Sequence, residues 1–285
     1  MERYNKETRG TFYARGLRKT GIYTKTLAKK QVAARMKIGE GYIHIDARAC
    51  MNLTKIHYLE LPDTLESIGE SAFRNCTQMA AVRMPDSVQR IGEAAFMECR
   101  KLEALQLPKS MKQIKSRTFK LCRAMESVRM PPYLERMGDN AFLDCHSLKE
   151  IRIPSRVETI PFRAFAGCKK LENVILPGRL KVIEKEAFKN ASFTGILLPP
   201  GLRVIEDSAF LKCRALEQIF IPESVKVIEK WAFHGCPKLT VEVHHDPEVL
   251  GDWLFNKNGT VIRCRRGSKV DKYCKQFEYN VEYLD

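Results

Sequence analysis

The sequence predicts an α/β repeat solenoid, a right-handed coil with parallel β-sheets and short helical turns. Two observations predict it: three residue types recur with one period, and the residues between them alternate as short strands require. The period is 23 residues, with one step of 22 near Ser192. A unit this short cannot bury its own apolar face, so successive units must stack. The recurring residues are Phe73, Phe96, Phe119, Phe142, Phe165, Phe188, Phe210 and Phe233; Pro62, Pro85, Pro108, Pro131, Pro154, Pro177, Pro199 and Pro222; and Ile68, Ile91, Ile114, Ile160, Ile183, Ile205 and Ile228, with Met137 filling the gap.

Each repeat divides into three short elements. In the unit that ends at Pro108, Leu105 and Leu107 alternate with Gln106, which predicts a half-buried strand. The proline ends this strand because it has no N–H group for a ladder. Ile114 then points inward from a second strand. The small-residue turn before each repeat phenylalanine is predicted to be a short helical piece, with the phenylalanines stacked along the axis. At about 4.8 Å a turn, eight or nine turns give a coil of about 40 Å.

The period also predicts the domain organisation. Repeats occupy residues 39–258, which is about nine turns of 23 residues. The open ends of a solenoid expose core, so both ends need covers. Residues 259–285 are predicted to be a C-terminal cap made of a strand, a short helix and a final strand, and residues 1–38 a basic N-terminal segment or cap.

Composition indicates a folded protein. Hydrophobic residues make up 44% of the 285 residues, which excludes wholesale disorder. No run of 18 apolar residues occurs, so no membrane span is expected. The first residues, MERYNKETRGTFYARGLRKTG, are charged throughout and do not form a signal peptide. We therefore expect a cytoplasmic protein.

Two segments carry a family resemblance, LPDTLESIGESAFRNCTQMAAVRM and IPESVKVIEKWAFHGCPKLTVEV. They resemble the leucine-rich repeat of the BspA type, whose unit is close to LPxSVxxIGxxAFxxCxxLxxVxI. The likeness covers roughly residues 39–258 and implies a bacterial leucine-rich repeat solenoid. Proteins of this family are commonly bacterial surface proteins that bind host or neighbouring-cell proteins. The resemblance therefore implies protein binding and, as the alternative to the cytoplasm, the cell surface.

Seven cysteines form a column three residues after the repeat phenylalanine. A zinc site needs ligands that converge, whereas a column points all its thiols the same way. We interpret the column as buried free thiols that pack as small hydrophobes, with a metal or redox ladder as the alternative. The column contains Cys76, Cys99, Cys122, Cys145, Cys168, Cys213 and Cys236, with Ala191 in the remaining unit.

Catalytic patterns are absent from the sequence. It has no Gly-rich phosphate loop, no Gly-x-Ser-x-Gly and no His-Glu-x-x-His. His244 and His245 are adjacent and would face opposite sides of a strand, which favours a solvated loop over a metal site. Glu184, Glu206 and Glu229 recur at one repeat position and are predicted to form a solvated ladder. We expect no enzyme activity, no cofactor and no metal.

Two outward-facing columns change character at the same repeat. The residue two before each proline is polar in five units, including Arg83, Arg129 and Arg152, and then apolar at Ile175, Leu197 and Phe220. The second column, the residue directly before each repeat isoleucine, changes likewise from polar residues to Val182, Val204 and Val227. Together they predict a scaffold that binds another protein, or a second copy, through its outward sheet faces, with the arginines as an electrostatic flank. The alternatives are that the C-terminal tail folds back over the apolar residues or that valine simply satisfies strand propensity.

The N-terminal segment is strongly basic. Residues 1–38 hold 11 Lys and Arg against two Glu. One interpretation is a cap whose apolar residues Leu27, Val32 and Met36 cover the first coil. The alternative function is that of a basic nucleic-acid or anionic-surface binder. The residues for that alternative are Arg15, Arg18, Lys19, Lys29 and Lys30.

Overall fold

A computed structural model describes residues 21–285 as a coil of short strands, all paired in parallel, with two helices. The coil has about 11 turns. The helices are α1 (Lys25–Gln31) and α2 (Lys269–Phe277). The strands are β1 (Gly21–Tyr23), β2 (Arg35–Lys37), β3 (Tyr42–Ile45), β4 (Tyr58–Glu60), β5 (Ser67–Ile68), β6 (Ala81–Arg83), β7 (Arg90–Ile91), β8 (Ala104–Gln106), β9 (Gln113–Ile114), β10 (Ser127–Arg129), β11 (Arg136–Met137), β12 (Glu150–Arg152), β13 (Thr159–Ile160), β14 (Asn173–Ile175), β15 (Val182–Ile183), β16 (Val204–Ile205), β17 (Gln218–Ile221), β18 (Val227–Ile228), β19 (Thr240–Val243), β20 (Val249–Leu250), β21 (Val261–Cys264) and β22 (Asn280–Tyr283).

The strands form two walls of the coil. One wall, here called the main sheet, holds the strands that precede the repeat prolines, in the ladders β2-β4-β6, β8-β10, β12-β14 and β17-β19-β21-β22. The other wall, the second sheet, holds β1-β3-β5-β7, β9-β11 and β13-β15-β16-β18-β20. Partners stand one repeat apart, as in Ile160 beside Ile183 and Ile183 beside Ile205. The predicted parallel solenoid is therefore confirmed.

The third wall is a run of linked turns, not the short helical piece that the sequence suggested. Ser71 and Asn75, on either side of Phe73, have φ of 54° and 60°. Left-handed residues at this spacing stop a right-handed helix from forming. The backbone bonds instead to the neighbouring turn, as when the Phe73 N–H donates to Ala95 O at 2.8 Å.

The repeat phenylalanines stack through the core. From Phe73 to Phe233, rings on neighbouring turns lie 5.2–5.9 Å apart between centroids and within 18° of parallel. All eight rings are fully buried. The stack continues to Phe255, 5.8 Å from Phe233, which the sequence period did not include.

In the 22-residue unit, one large side chain occupies the core position of a smaller residue. Phe193 stands where Leu171 and Leu216 stand in the flanking units and is fully buried. Its ring meets Phe188 edge-on at 5.8 Å, beside Ala191, which replaces the usual cysteine. The larger ring fills the volume that the deletion and the smaller alanine would leave empty.

Both ends of the described chain extend the coil. At the C-terminal end, β21 and β22 add to the main sheet, and α2 begins at Ser268, whose side chain accepts a hydrogen bond from the Asp271 N–H. At the N-terminal end, β1 and β2 begin the two sheets. Met36 is buried there, and Leu27 and Val32 pack against the core. No helix within residues 21–285 has the length and apolar character needed to cross a membrane.

Candidate partner-binding surface

Three large apolar side chains project from the main sheet into solvent. Ile175, Leu197 and Phe220, here called the apolar stripe, are 46%, 84% and 44% exposed. Gly195 pairs with Gln218, so Leu197 and Phe220, each two residues further on, lie in register on neighbouring turns. The structure thus places Leu197 and Phe220 side by side, with Ile175 exposed at the end of β14 on the preceding turn.

The C-terminal tail does not fold back over the stripe. Beyond Phe220 the outward column continues with Glu242 and then Arg263, because β19 and β21 follow β17 in the same ladder. The Phe220 ring meets the His244 ring edge-on at 5.3 Å. Residues 259–285 therefore extend the main sheet and leave the stripe open on this side.

The valine column lies on the second sheet and is less exposed. Val182, Val204 and Val227 are half-buried and stand in register. Val249 continues the column and is 48% exposed. The sequence prediction stopped at Val227 because the proline that marks each repeat is missing beyond Pro222. The signal that could have extended it is the pair Val249-Leu250, which follows Val227-Ile228 by 22 residues.

The three flanking arginines differ in their contacts. The Arg83 guanidinium donates to both oxygens of Asp63, at 3.1 and 3.2 Å, and to Leu61 O at 3.2 Å. Arg129 and Arg152 are exposed, and neither has a carboxylate within ion-pair distance among residues 21–285. Two of the three guanidinium groups are thus free to bind an anion.

A groove runs along the outer face of the main sheet. It has a volume of about 1040 Å³ and connects Gln106, Arg129, Arg152 and Ile175 across successive turns. Glu150 is the one carboxylate in its lining. The main-sheet ladder is interrupted here between β6 and β8, between β10 and β12, and after β14. The groove joins the unpaired arginines to the first residue of the apolar stripe.

The residues of the anion-binding alternative are only partly described. Arg15, Arg18 and Lys19 lie outside the described residues. Lys29 and Lys30 are exposed in the last turn of α1, where positive charge suits the negative end of the helix dipole. The position at the end of the helix therefore explains the positive charge of both lysines without a nucleic-acid partner.

The cysteine column is built into the core. All ten cysteines are free and buried. Each column thiol donates to a backbone carbonyl one turn earlier, as Cys145 Sγ does to Phe119 O at 3.2 Å and Cys168 Sγ to Phe142 O at 3.4 Å. Burial raises the pKa of Cys145 and Cys168 well above the ordinary thiol value. These thiols are protonated and inaccessible, which suits packing and not nucleophilic chemistry.

The histidine pair makes two separate contacts. His244 Nε2 lies 2.7 Å from Glu242 Oε1, and His245 Nε2 lies 2.7 Å from Val225 O. No group of three or more His, Cys, Asp or Glu side chains within residues 21–285 is arranged to hold a metal ion.

The recurrent glutamates are structural and not a solvated ladder. Glu184 accepts a hydrogen bond from the Phe162 N–H at 2.8 Å, and Glu206 and Glu229 accept at 2.9 Å from the preceding turn in the same way. Burial, followed by the charge of Glu206, raises the pKa of Glu184 although the Phe162 N–H opposes the shift. The prediction of free solvation was wrong because each carboxylate reaches back to cap its neighbour.

Two exposed tryptophans went unnoticed in the sequence. Trp231 and Trp253 are 42% and 55% exposed, with φ of 57° and 55°. Lys230 Nζ lies 4.9 Å from the Trp231 ring, and the Trp253 ring meets Phe277 edge-on at 5.2 Å. The signal was available, because both tryptophans occupy the position two residues before the ladder phenylalanine, where Ser71 stands in an earlier unit.

Comparison with known proteins identifies the repeat. The family model described as "BspA type Leucine rich repeat region" matches residues 43–161 and 135–261, with six copies. Comparison with curated proteins gives no significant match.

Three solved structures share the fold. A leucine-rich repeat protein from Bacteroides ovatus is 19% identical with a TM-score of 0.64, over 90% of this chain and 85% of that one. The leucine-rich repeat protein of T. pallidum is 22% identical with a TM-score of 0.52, over 65% of this chain and 78% of that one. The pneumococcal vaccine antigen PcpA is 16% identical with a TM-score of 0.52, over 87% of this chain and 73% of that one. At these identities the likeness concerns the fold alone.

Proposed function

The chain belongs to the BspA-type leucine-rich repeat family, and on that basis we propose that it is a non-enzymatic scaffold that binds another protein through the outer face of its main sheet. The observation that carries the proposal is the apolar stripe. Leu197 is 84% exposed between two further large apolar side chains. Contiguous apolar patches of a few hundred Å² are typical of interaction sites.

The contrast between inward and outward columns supports this function. The phenylalanine and cysteine columns are buried and nearly uniform, as stacking requires. The outward column instead changes from arginine to large apolar residues within one turn, between Arg152 and Ile175. A change that serves no core contact is best explained by an external partner.

Free cysteines support the cytoplasm over the cell surface. Ten cysteines without a disulfide are typical of a reducing compartment. We keep the cytoplasm as the proposed location and the cell surface as the alternative that family resemblance implies.

The test is affinity capture from a lysate of the source cells. The wild-type chain, the double variant L197E/F220E and the control Y133E are used as baits at two salt concentrations. Tyr133 is 54% exposed and lies outside the stripe, so its substitution leaves Leu197 and Phe220 unchanged. Wild type and Y133E are expected to capture the same protein, and L197E/F220E is expected to lose it. Equal capture by all three baits contradicts the proposal.

A further inference from the structure

We infer that the segment bound at this surface is acidic at one end and apolar at the other, and that it lies across the strands from Arg129 to Phe220. The inference rests on the proposed function and specifies its partner. It follows from the order of side chains along the outward column: Arg129, Arg152, Ile175, Leu197 and Phe220 on successive turns.

Charge complementarity identifies the acidic end. The groove lining contains two guanidinium groups, on Arg129 and Arg152, and one carboxylate, on Glu150. Neither arginine has an ion pair among the described residues, whereas Arg83, on the same column, is bound to Asp63. Arginine binds carboxylates through two parallel hydrogen bonds, so a pair on nearby turns favours acidic side chains of a partner.

The spacing of the turns sets the length of the segment. Four steps separate Arg129 from Phe220, which at about 4.8 Å a step is about 19 Å. An extended chain covers this distance in about six residues at about 3.3 Å each. Alternate side chains of such a segment face the groove, so carboxylates at its first positions meet the arginines while its last positions cover Leu197 and Phe220.

Two other occupants fit less well. Residues 1–20 of this chain carry six Lys and Arg against two Glu, so the groove arginines repel them. A second copy carries the same excess of positive charge, 49 Lys and Arg against 34 Asp and Glu, so it lacks the net negative charge that the free arginines favour. A partner of opposite charge and linear form satisfies both conditions.

The test is a selection of random twelve-residue peptides displayed on phage, with the purified full-length protein as target. Wild type is expected to enrich peptides with Asp or Glu at one end and large apolar residues at the other. In R129E/R152E, affinity for the best peptide is expected to fall by about tenfold for each arginine. A new selection on this variant is expected to enrich Lys and Arg instead.

The matched control is R90E/R136E. Arg90 and Arg136 are also exposed without an ion pair in the described part of the chain, but they lie on the second sheet in β7 and β11. The control changes the net charge by the same amount, so it separates a local contact from the overall positive charge. Its affinity for the best peptide is expected to match wild type.

Three outcomes overturn the inference. The first is enrichment of no peptide, or of peptides without acidic residues. The second is equal affinity of R129E/R152E and wild type for the best peptide. The third is a dimer in sedimentation that the L197E substitution dissociates, which would assign the face to a second copy. The proposed function fails on a different result, namely capture of the same lysate proteins by wild type and L197E/F220E. A partner captured through Leu197 but without acidic peptides leaves the function standing and refutes this inference alone.

Discussion

The column thiols each satisfy a backbone carbonyl of the preceding turn. Cys145 Sγ donates to Phe119 O at 3.2 Å inside the core, and Cys168 repeats the contact one turn later. Ala191 has no such donor, and Phe193 packs beside it instead. A small polarizable side chain with one weak donor suits this position, because the Phe119 carbonyl accepts the Cys122 N–H at 3.2 Å and has a second lone pair for the thiol.

Replacing Cys145 by alanine removes both the donor and the sulfur. We expect C145A to lower the free energy of unfolding by about 1–2 kcal/mol, since the core loses the volume of the sulfur and one weak hydrogen bond, while the Phe119 carbonyl keeps its bond from the Cys122 N–H. Urea denaturation followed by circular dichroism measures the change. An unaltered midpoint would show that neither the hydrogen bond nor the buried volume of the thiol contributes to stability.

The same thiols make stability depend on pH in alkaline solution. Burial raises the pKa of Cys145 well above its ordinary value, so the folded thiol stays neutral where the unfolded one ionises. The contribution of the buried neutral thiol to folding stability is therefore complete below about pH 8.5 and is lost as the pH rises further. Between pH 8 and 10, we expect C145A to lose less stability than wild type in urea denaturation. Parallel losses in the two proteins would contradict this.

The phenylalanine ladder is the element that links the turns. Phe142 stacks on Phe119 at 5.3 Å and on Phe165 at 5.5 Å, and its ring is fully buried. Because each ring contacts both neighbours, removing one leaves a cavity that spans three turns. Stability in a solenoid depends on such nearest-neighbour contacts.

Truncation of one ladder ring should be severe. We expect F142A to lower the free energy of unfolding by about 3–5 kcal/mol, the range for deletion of a buried phenylalanine. The control is F162A, because Phe162 is half-buried and outside the ladder. Thermal denaturation should separate the two variants clearly. A similar shift for both would mean that the stack has no special part in joining turns.

The glutamate contacts join turns through the backbone. Glu184 accepts from the Phe162 N–H, and its pKa is raised by burial and by Glu206. A raised carboxyl pKa means that ionisation opposes folding. The stabilising contribution of protonated Glu184 is present at acid pH and is lost as the pH rises through the pKa of the folded state.

Glutamine should serve as well as Glu184 at neutral pH. In E184Q the amide oxygen can still accept from the Phe162 N–H, and the charge facing Glu206 is gone. We expect E184Q to be at least as stable as wild type at pH 7, with the difference shrinking as the pH falls towards 4, whereas E184A loses about 1 kcal/mol. Urea midpoints measured across this range decide the matter. If wild type is more stable than E184Q at pH 7, the charge of Glu184 itself is needed for stability.

At the scale of the whole molecule, the sequence predicted the features that recur in every repeat and missed those that differ from the repeat pattern. The 23-residue spacing predicted the stacking of Phe73 to Phe233 because one period fixes one contact repeated along the axis. It predicted two closing strands around a short helix, but not that β21 and β22 continue the main-sheet ladder, because the proline signal disappears after Pro222 while backbone pairing continues. Sequence propensity alone could not identify left-handed backbone at a residue such as Trp231.

The candidate surface was predictable in part for the same reason. Exposure of Ile175, Leu197 and Phe220 follows from strand alternation alone. The difference between Arg83 and Arg129 does not, because the Asp63 partner of Arg83 lies on the neighbouring turn and depends on side-chain geometry. The groove depends likewise on interruptions in the ladder that no residue pattern marks.

The 22-residue unit contributes no strand of its own to the main sheet. On the main-sheet side it contributes one isolated bridge, Gly195 with Gln218, between the ladders that end at β14 and begin at β17. On the other wall the ladder runs through β15 and β16 without a break. Backbone with few ladder hydrogen bonds opens locally at a low free-energy cost. In hydrogen–deuterium exchange we therefore expect backbone amides of residues 192–198 to exchange faster than those of residues 216–221, which contain β17. The two segments occupy equivalent places in their units, so equal protection would mean that packing of Phe193 restores the strength that the missing ladder bonds remove.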